Sequence, residues 1–379
     1  MNTNNRKYRI FLSAAEPSAD AHCAGLITSL KKLTGQVEFV GVGGAKMAAE
    51  GCSLLETTAE NGAMLYNAFS RTYYFYKLIR RIRYYLNQTE IDMVVVCDSP
   101  AFNFHIAKAA KKAGIKTVFY VAPQLWAWGA WRIGKLRKCC DKLMCLFPFE
   151  QDWFRSRGVE TAFTGNPLLD EMQKNKPGSK NYSHFDAQHA RIALIPGSRN
   201  AEIKTLWPAM QKTALRLKKQ FKNITFTAAA VNEQTKQILR NSQAQHFRCD
   251  YITGSLCEAA VQADFSIVAS GSATLQVASA GCPMVIIYQS SRLLWHLLGK
   301  WIIKTEYLSL VNILADNELV PEYMPYFSST KPIADEIAGL LNDTEKLQDT
   351  SKKLTAITEP LMRFNASEKA ARELITLLE

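Results

Sequence analysis

A carboxylate at the end of an apolar strand is the first candidate for chemistry in this sequence. Asp98 directly follows residues 93–97 (MVVVC), which have the length and composition of a buried β-strand. Ligands of open α/β folds bind at the carboxyl ends of the strands, so Asp98 is a candidate general base. The alternative is structural, because an aspartate there also suits a cap for a helix that begins near Asn103 or a turn before Pro100.

Two short loops have the residues of anion-binding sites. Residues 196–199 (PGSR) follow a predicted strand and precede a helix, so backbone N–H groups and the guanidinium of Arg199 can converge on a phosphate. This loop is not a Gly-x4-Gly-Lys-Ser/Thr phosphate loop. Residues 270–274 (SGSAT) repeat the plan after a strand, with a plain N-cap turn as the alternative. Residues 41–44 (GVGG) do not continue into the dinucleotide-binding pattern Gly-x-Gly-x-x-Gly.

Aromatic and basic residues are concentrated in two segments. Residues 73–85 (YYFYKLIRRIRYY) favour a membrane interface over a surface helix that packs its aromatic side chains inward. Residues 126–132 (WAWGAWR) suit a sugar-stacking wall or a membrane interface, with core packing as the alternative. The formal net charge of +12 indicates an anionic partner, which is a nucleic acid, a phosphorylated substrate or an acidic membrane surface.

Two parallel sheets are needed to position these residues. A strand, a loop and a helix follow one another at 9–33 and again at 191–217, and strands alternate with helices elsewhere. The predicted strands lie at 9–14, 37–42, 93–97, 117–121, 142–146, 191–195, 224–229, 267–269 and 284–288. This pattern predicts an α/β protein with two Rossmann-like, doubly wound domains.

A polar segment at 170–188 is the predicted linker between the two domains. We therefore predict an N-terminal domain over residues 1–180, a second domain over 181–340 and a helical tail over 341–379. The tail should break near Pro360 and could pack back on the N-terminal domain.

The composition sets the class of protein. The 379 residues are 47% hydrophobic and 21% charged, as in ordinary globular domains. The most apolar stretch, 284–303, is too interrupted to supply the ~18–20 residues of a membrane span, and the apolar run at 10–12 is too short for a signal peptide. Nine cysteines without a C-x-x-C pair favour reduced thiols, and six histidines without ligand spacing predict no metal site.

Eight segments resemble, in order, the bacterial lipid A disaccharide synthases. They are SAAEPSAD (13–20), GVGGAKM (41–47), DSPAFN (98–103), PQLWAW (123–128), FPFE (147–150), PGSRNAEI (196–203), SGSATL (270–275) and NILADNELVP (312–321). The resemblance implies a GT-B fold, in which two Rossmann-like domains face each other across a cleft. It also implies an inverting transfer of 2,3-diacylglucosamine from UDP to 2,3-diacylglucosamine 1-phosphate (lipid X). The bond formed would be β-1,6, without a required metal and with no cofactor.

The resemblance assigns roles to individual residues, with Asp98 as the catalytic base. The residues expected at the UDP-sugar are Gly197, Ser198, Arg199, Ser270, Gly271, Ser272, Thr274 and Gln276. The residues expected at the acceptor are Glu16, Ser18, Asp20, Asn103, Trp126, Asn312 and Glu318. The residues expected at the membrane are Tyr76, Lys77, Arg80, Arg81 and Arg83. The expected location is the inner face of the cytoplasmic membrane, held peripherally on anionic lipid, and no nucleic acid is expected as a partner.

Several positions depart from the family pattern. Ala101 stands where the family has a second carboxylate, and Gln276 stands where it has a glutamate. Further departures are Ala68, Asn166 and Gln289. They leave open a paralogue that transfers a UDP-activated sugar to a different lipid or glycan acceptor. The alternative outside the enzymes is a protein that binds membranes or nucleic acid without catalysis.

Overall fold

The computed structural model describes residues 7–58, 68–127, 129–173, 178–254, 256–290, 305–362 and 365–379. The chain divides into two compact units, one of Met1–Asp170 with Phe364–Glu379 and the other of Glu171–Arg363. The boundary between these units lies at Asp170, and the predicted domain boundary is residue 180. Trp128 lies outside the described residues, and Ala68 is described only as the first residue of a helix.

The first unit is built on a seven-stranded sheet in which all paired strands are parallel. Its strands are β1 (Tyr8–Ala14), β2 (Val37–Gly43), β3 (Ser53–Thr57), β4 (Met93–Cys97), β5 (Lys116–Tyr120), β6 (Lys142–Cys145) and β7 (Thr161–Phe163). The spatial order is β3-β2-β1-β4-β5-β6-β7. Every residue of β4 is buried, as expected for a central parallel strand that is covered on both faces.

Helices cover this sheet, and several of them begin at a proline. The α-helices described up to residue 173 are α1 (Pro17–Leu33), α2 (Ala45–Ala49), α3 (Ala68–Gln88), α4 (Pro100–Lys112), α5 (Ile133–Cys139), α6 (Pro148–Arg155) and α7 (Pro167–Gln173). A proline at the first helical position loses no hydrogen bond, because that N–H has no partner within the helix, and its fixed φ suits the helix. Helix α1 therefore begins immediately after Glu16, and α4 begins immediately after Ser99.

The second unit has a six-stranded sheet whose paired strands are also parallel. Its strands are β8 (Arg191–Ile195), β9 (Thr225–Ala230), β10 (Asp250–Thr253), β11 (Phe265–Ala269), β12 (Met284–Ile287) and β13 (Glu322–Tyr323). The spatial order is β10-β9-β8-β11-β12-β13. The described helices that follow residue 199 are α8 (Asn200–Gln220), α9 (Glu233–Asn241), α10 (Leu256–Gln262), α11 (Ala273–Ser279), α12 (Leu310–Ala315), α13 (Lys331–Leu341), α14 (Thr344–Met362) and α15 (Ala366–Leu378).

The C-terminal helices belong to different cores. Helix α13 packs into the core of the second unit, whereas α15 packs against α1 and places Ala370 and Leu374 in the core of the first unit. Pro360 lies inside α14, which continues to Met362, so the break predicted at Pro360 is displaced to the end of the helix.

No helix in the described part of the chain is both long and apolar enough to cross a membrane.

Candidate active site

Each sheet has one position at which its strand order reverses, and the predicted site residues follow the strands at these positions. In the first sheet the reversal lies between β1 and β4, and in the second between β8 and β11. The connections from the two strands leave toward opposite faces, which opens a crevice at the carboxyl edge of an α/β sheet. Asp98 and Glu16 follow β4 and β1, and Arg199 and Ser270 follow β8 and β11. The structure therefore brings together the residues of each pair.

Asp98 is half-buried and has a left-handed backbone conformation. Its φ is 52° and that of Ser99 is 43°, a region in which residues other than glycine are uncommon. The hydroxyl of Ser99 donates a hydrogen bond to Glu16 Oε1 over 3.3 Å, so the two loops of the reversal are in contact. Backbone conformations of this kind cost about 1–3 kcal/mol each and concentrate at functional sites.

A third strained residue lies at the neighbouring strand end. Val121 follows β5 with φ 69°, which is an outlier for a β-branched residue. The carbonyl of Tyr120 accepts a hydrogen bond from the backbone N–H of Asp98 over 3.3 Å, so this strain is adjacent to the candidate base. Val121 was not predicted as a site residue, because nothing in the sequence indicates a valine with positive φ.

Asn103 is fully buried beneath Asp98, and its amide bonds only to the chain itself. Its Oδ1 accepts from Ser13 Oγ over 2.7 Å, and its Nδ2 donates to the carbonyls of Cys97 and Asp98 over 2.8 and 2.7 Å. The structure therefore does not present this amide to an acceptor.

Asp20 is buried as well and caps a short helix. Its carboxylate accepts hydrogen bonds from the backbone N–H groups of Gly44, Lys46 and Met47 over 2.8–3.1 Å. The GVGGAK segment thus binds the carboxylate of α1 at the start of α2, where the positive end of the helix dipole favours it. By contrast, Ser18 is exposed in the first turn of α1, at the same edge as Glu16.

The nearby His22 of α1 packs its ring edge-to-face against Tyr120, with ring centroids 6.5 Å apart. Burial, assisted by the charge of Lys46, lowers the pKa of His22 to about 4. The imidazole is therefore neutral at neutral pH. His22 was not among the predicted site residues.

Trp126 is buried and hydrogen-bonded, with only 7% of its surface exposed. Its Nε1 donates to Oε1 of Glu150 over 2.9 Å, while Oε2 accepts from the N–H groups of Leu146 and Phe147 over 2.9 and 3.1 Å. Desolvation raises the pKa of the Glu150 carboxyl to about 7 despite these bonds, which favour its ionised form. Trp126 therefore joins the segment after β5 to the start of α6, and its ring offers little surface for sugar stacking.

In the second unit, the backbone of the PGSR loop passes close to the side chain of Glu202. Gly197 has φ 97°, and a Cβ added there would lie 2.7 Å from Glu202 Oε2. Ser198 is exposed, and the Arg199 side chain is 70% exposed while its guanidinium contacts Glu202 Oε1 at 3.0 Å. Glu202 thus orients a solvent-facing guanidinium immediately before α8, whose first N–H groups point along the helix axis toward this end.

The SGSAT loop lies beside it, at the end of β11. Gly271 has φ 149° with open space where a Cβ would point, and Ser272 is exposed. Thr274 is buried, and its hydroxyl donates to the Gly271 carbonyl over 2.8 Å, so it closes the turn. Ser270 and Gln276 are half-buried. Gly271 therefore exposes backbone and Ser272 exposes a hydroxyl, whereas the Thr274 hydroxyl is bonded within the turn.

The two remaining predicted acceptor residues lie elsewhere in the second unit. Asn312 is fully buried and exchanges hydrogen bonds with the backbone of Val320, while its Nδ2 also donates to Glu322 Oε1 over 2.7 Å. Glu318 lines a pocket with Phe265 and Met284, which are the first residues of β11 and β12. This is the amino edge of the sheet, opposite to the PGSR and SGSAT loops, so the structure does not bring Glu318 to them.

The basic and aromatic residues of α3 occupy its outer face. Leu78, Ile82 and Leu86, spaced by four, are buried against the unit. The predicted membrane residues Tyr76, Lys77, Arg80, Arg81 and Arg83 are all exposed. The inner residues thus hold the helix to the sheet and leave a cationic, tyrosine-containing face outward.

Within the described residues, no group of histidine, cysteine, aspartate and glutamate side chains is arranged to hold a metal ion.

Comparisons with known proteins give one consistent family. The model of the lipid-A-disaccharide synthetase family matches residues 10–375. The lipid-A-disaccharide synthase of Syntrophus aciditrophicus is 29% identical over 375 residues and covers 98% of both chains. Lipid-A-disaccharide synthase 1 of Legionella pneumophila (strain Philadelphia 1) is 32% identical over 369 residues and covers 94% of both chains.

Solved structures agree on the fold. The UDP co-structure of S. aureus MnaA has a TM-score of 0.65 at 13% identity and covers 98% of this chain and 97% of its own. UDP-GlcNAc 2-epimerase from Neisseria meningitidis, bound to UDP-GlcNAc, has a TM-score of 0.63 at 14% identity, with coverage of 98% and 100%. MurG of Acinetobacter baumannii has a TM-score of 0.56 at 13% identity, with coverage of 98% and 99%.

Proposed function

The chain belongs to the lipid-A-disaccharide synthetase family, and from this membership we propose that it transfers 2,3-diacylglucosamine from UDP to 2,3-diacylglucosamine 1-phosphate. The products are the β-1,6-linked disaccharide 1-phosphate and UDP. The resemblance inferred from the sequence is confirmed, as is the α/β fold of GT-B type. The observation that supports the proposal is the placement of two carboxylates, Asp98 and Glu16, at one strand-order reversal and of the PGSR and SGSAT loops at the other.

One requirement of the transfer is removal of the proton from the acceptor hydroxyl. In an inverting transfer this hydroxyl attacks the anomeric carbon from the side opposite to UDP, and one base accepts its proton. Asp98 suits this role because it follows β4 at the reversal and is half-buried. Glu16, bonded to Ser99, lies beside it as a partner for the acceptor.

The other requirement, met in the same displacement, is departure of UDP, which develops negative charge on the diphosphate. Arg199, oriented by Glu202, and the N–H groups at the start of α8 supply positive potential for this charge. Gly271 and Ser272 add backbone that a phosphate can approach closely. Base and anion-binding groups thus supply the two requirements of the reaction from this chain's own residues.

An assay with both acylated substrates in detergent tests the proposal. We expect disaccharide formation by the wild type, a loss of about 10²–10⁴-fold in Asp98→Ala and of about 10²–10³-fold in Arg199→Ala. Arg248→Ala is the control, because Arg248 is an exposed cation just before β10, at the other edge of the sheet. A wild type that makes no disaccharide, or an Asp98→Ala variant with full activity, would contradict the proposal. Release of UDP only with another acceptor would favour the paralogue.

We further propose that the outer face of α3 binds the anionic inner surface of the cytoplasmic membrane, where acylated substrates reside. Tyr73, Tyr76 and Tyr84 are 59%, 57% and 70% exposed among the arginines and Lys77, a composition suited to lipid headgroups. This face and the net charge of +12 support peripheral binding.

Vesicle sedimentation tests this membrane proposal. The protein should bind vesicles with anionic lipid, bind neutral vesicles weakly, and lose binding as salt increases. Arg80→Glu with Arg83→Glu should abolish binding, while the control Lys218→Glu with Lys219→Glu, at the end of α8, should retain it. Equal binding of both double variants would refute the assignment to α3, and salt-sensitive binding of RNA instead of vesicles would favour a nucleic-acid partner.

A further inference from the structure

The environment of Asn103 explains how the loop at Asp98 keeps its conformation. Strands β1 and β4 are neighbours in register, with Ala14 opposite Cys97. The hydroxyl of Ser13, on β1, donates to Asn103 Oδ1, and Asn103 Nδ2 donates to the carbonyls of Cys97 and Asp98. The side-chain pair therefore joins β1 to the end of β4 below the candidate base.

The two donor sites of the Asn103 amide are both used by consecutive carbonyls. An Nδ2 group has only two hydrogens, and these bonds are 2.8 and 2.7 Å long. Because Asn103 and Ser13 are each fully buried, water cannot replace these partners. The Asn103 amide can contact an acceptor sugar only by giving up the bonds that it makes to the chain.

The Asp98 carbonyl that Asn103 holds belongs to a strained stretch of backbone. Asp98 and Ser99 are consecutive residues with φ 52° and 43°, and L-residues adopt this region at a free-energy cost. Such a conformation persists only where surrounding contacts fix it. The amide fixes the peptide groups on both sides of the Asp98 Cα, so it determines the direction in which the Asp98 side chain leaves the backbone.

We infer that Ser13 and Asn103 form a positioning pair that aims the carboxylate of Asp98, and that Asn103 is not an acceptor-binding residue. This inference rests on the proposed function of Asp98 as the base. Transfer of a proton is sensitive to placement, since a shift of about 1 Å from productive geometry can cost on the order of 10²-fold in rate. The pair thus acts on the chemical step and leaves donor binding unchanged.

The variants Asn103→Asp and Ser13→Ala test the pair in the disaccharide assay. Asn103→Asp keeps the shape but turns an acceptor oxygen toward the two carbonyls, so we expect kcat to fall about 100-fold with an unchanged KM for the UDP-sugar. Ser13→Ala removes one bond of the pair, and kcat should fall about 10-fold. The matched control is Thr117→Val, which removes a buried hydroxyl bonded to the Ile115 carbonyl at the amino edge of the same sheet. It should keep the wild-type kcat.

A double-mutant cycle separates positioning from general destabilisation. If Asn103 acts through Asp98, adding Asn103→Asp to Asp98→Ala should lower the residual kcat by less than about 3-fold. An equal loss in both backgrounds would overturn the inference, as would a kcat within 2-fold of wild type for Asn103→Asp. If Asn103→Asp does not fold, the same cycle with Ser13→Ala decides. A wild type without disaccharide activity would overturn the proposed function and the pair together, whereas an active wild type with unaffected variants overturns the pair alone.

Discussion

Replacement of Glu150 by glutamine should change how the stability of the protein depends on pH. Burial raises the pKa of this carboxyl from 4.5 to about 7, so between these pH values the folded state binds more protons than the unfolded state. The stability that the protonated carboxyl supports is fully present below pH 4.5 and is lost as pH rises through 7. With about 1.4 kcal/mol per pKa unit, the loss between pH 5 and pH 8 is roughly 2–3 kcal/mol. Glutamine does not titrate and should lack this loss.

The quantity to measure is the difference in unfolding free energy between Glu150→Gln and wild type. At pH 5, where the wild-type carboxyl is protonated, the variant should be less stable, because the Nε2 group of glutamine cannot accept a hydrogen bond from Trp126 or from Leu146 and Phe147, whereas a carboxyl hydroxyl oxygen still can. By pH 8 this difference should move in favour of the variant by roughly 2–3 kcal/mol.

Urea unfolding followed by tryptophan fluorescence at pH 5, 6, 7 and 8 supplies this difference. Glu160→Gln is the control, since Glu160 is an exposed glutamate of the same unit. Its difference from wild type should stay constant. A Glu150→Gln difference that also stays constant from pH 5 to pH 8 would refute the argument, because the buried carboxyl would then have an ordinary pKa.

Three further outcomes are expected. Gly197→Ala should raise the Kd for UDP, measured by calorimetry, about tenfold, because alanine at φ 97° is strained and its Cβ would displace Glu202. The control Gly178→Ala, with nothing within 4 Å of the added Cβ, should leave this Kd unchanged. Asp20→Asn should lower the unfolding free energy in urea by about 1–3 kcal/mol, since an amide cannot accept all three N–H bonds; an unchanged midpoint would contradict the capping role. The wild type should lose stability as pH falls from 6.5 to 4, because the pKa of His22 is about 4 in the folded state, and His22→Gln should lack this loss. The same dependence of unfolding free energy on pH in the variant and the wild type would contradict this prediction.

The predicted strands match the central strands of both sheets, but the four edge strands were not predicted. These are β3 and β7 in the first sheet and β10 and β13 in the second. A central parallel strand is covered on both faces and becomes a continuous apolar run, which is visible in a sequence. The edge strand β10 (DYIT) is polar at its ends, and β13 has two residues, so neither has a detectable period. Composition therefore indicates where a sheet is buried, but not where it stops.

Buried polar residues limited prediction of the site. Asp20, Asn103 and Asn312 were predicted to contact the acceptor, yet each is buried and binds backbone groups of its own unit. A polar side chain in a motif can bind a ligand or can hydrogen-bond to the backbone of a loop. The sequence does not distinguish these two roles, because the fold determines which partner lies within reach. Asp98 and Arg199, by contrast, were predicted from their places after apolar strands, which the topology alone determines.

The departures from the family pattern also divide into buried residues that bind backbone and exposed residues beside the candidate base. Asn166 is buried, and its Oδ1 accepts from the Leu168 N–H at the start of α7, while Gln289 accepts from the Phe327 N–H over 3.2 Å. Changes at these two positions act first on loop conformation. Ala101 is exposed in the first turn of α4, immediately after the strained residues at Asp98, so a carboxylate there would face solvent beside the base. A change of acceptor preference in this chain is therefore more readily explained by Ala101 than by Asn166 or Gln289.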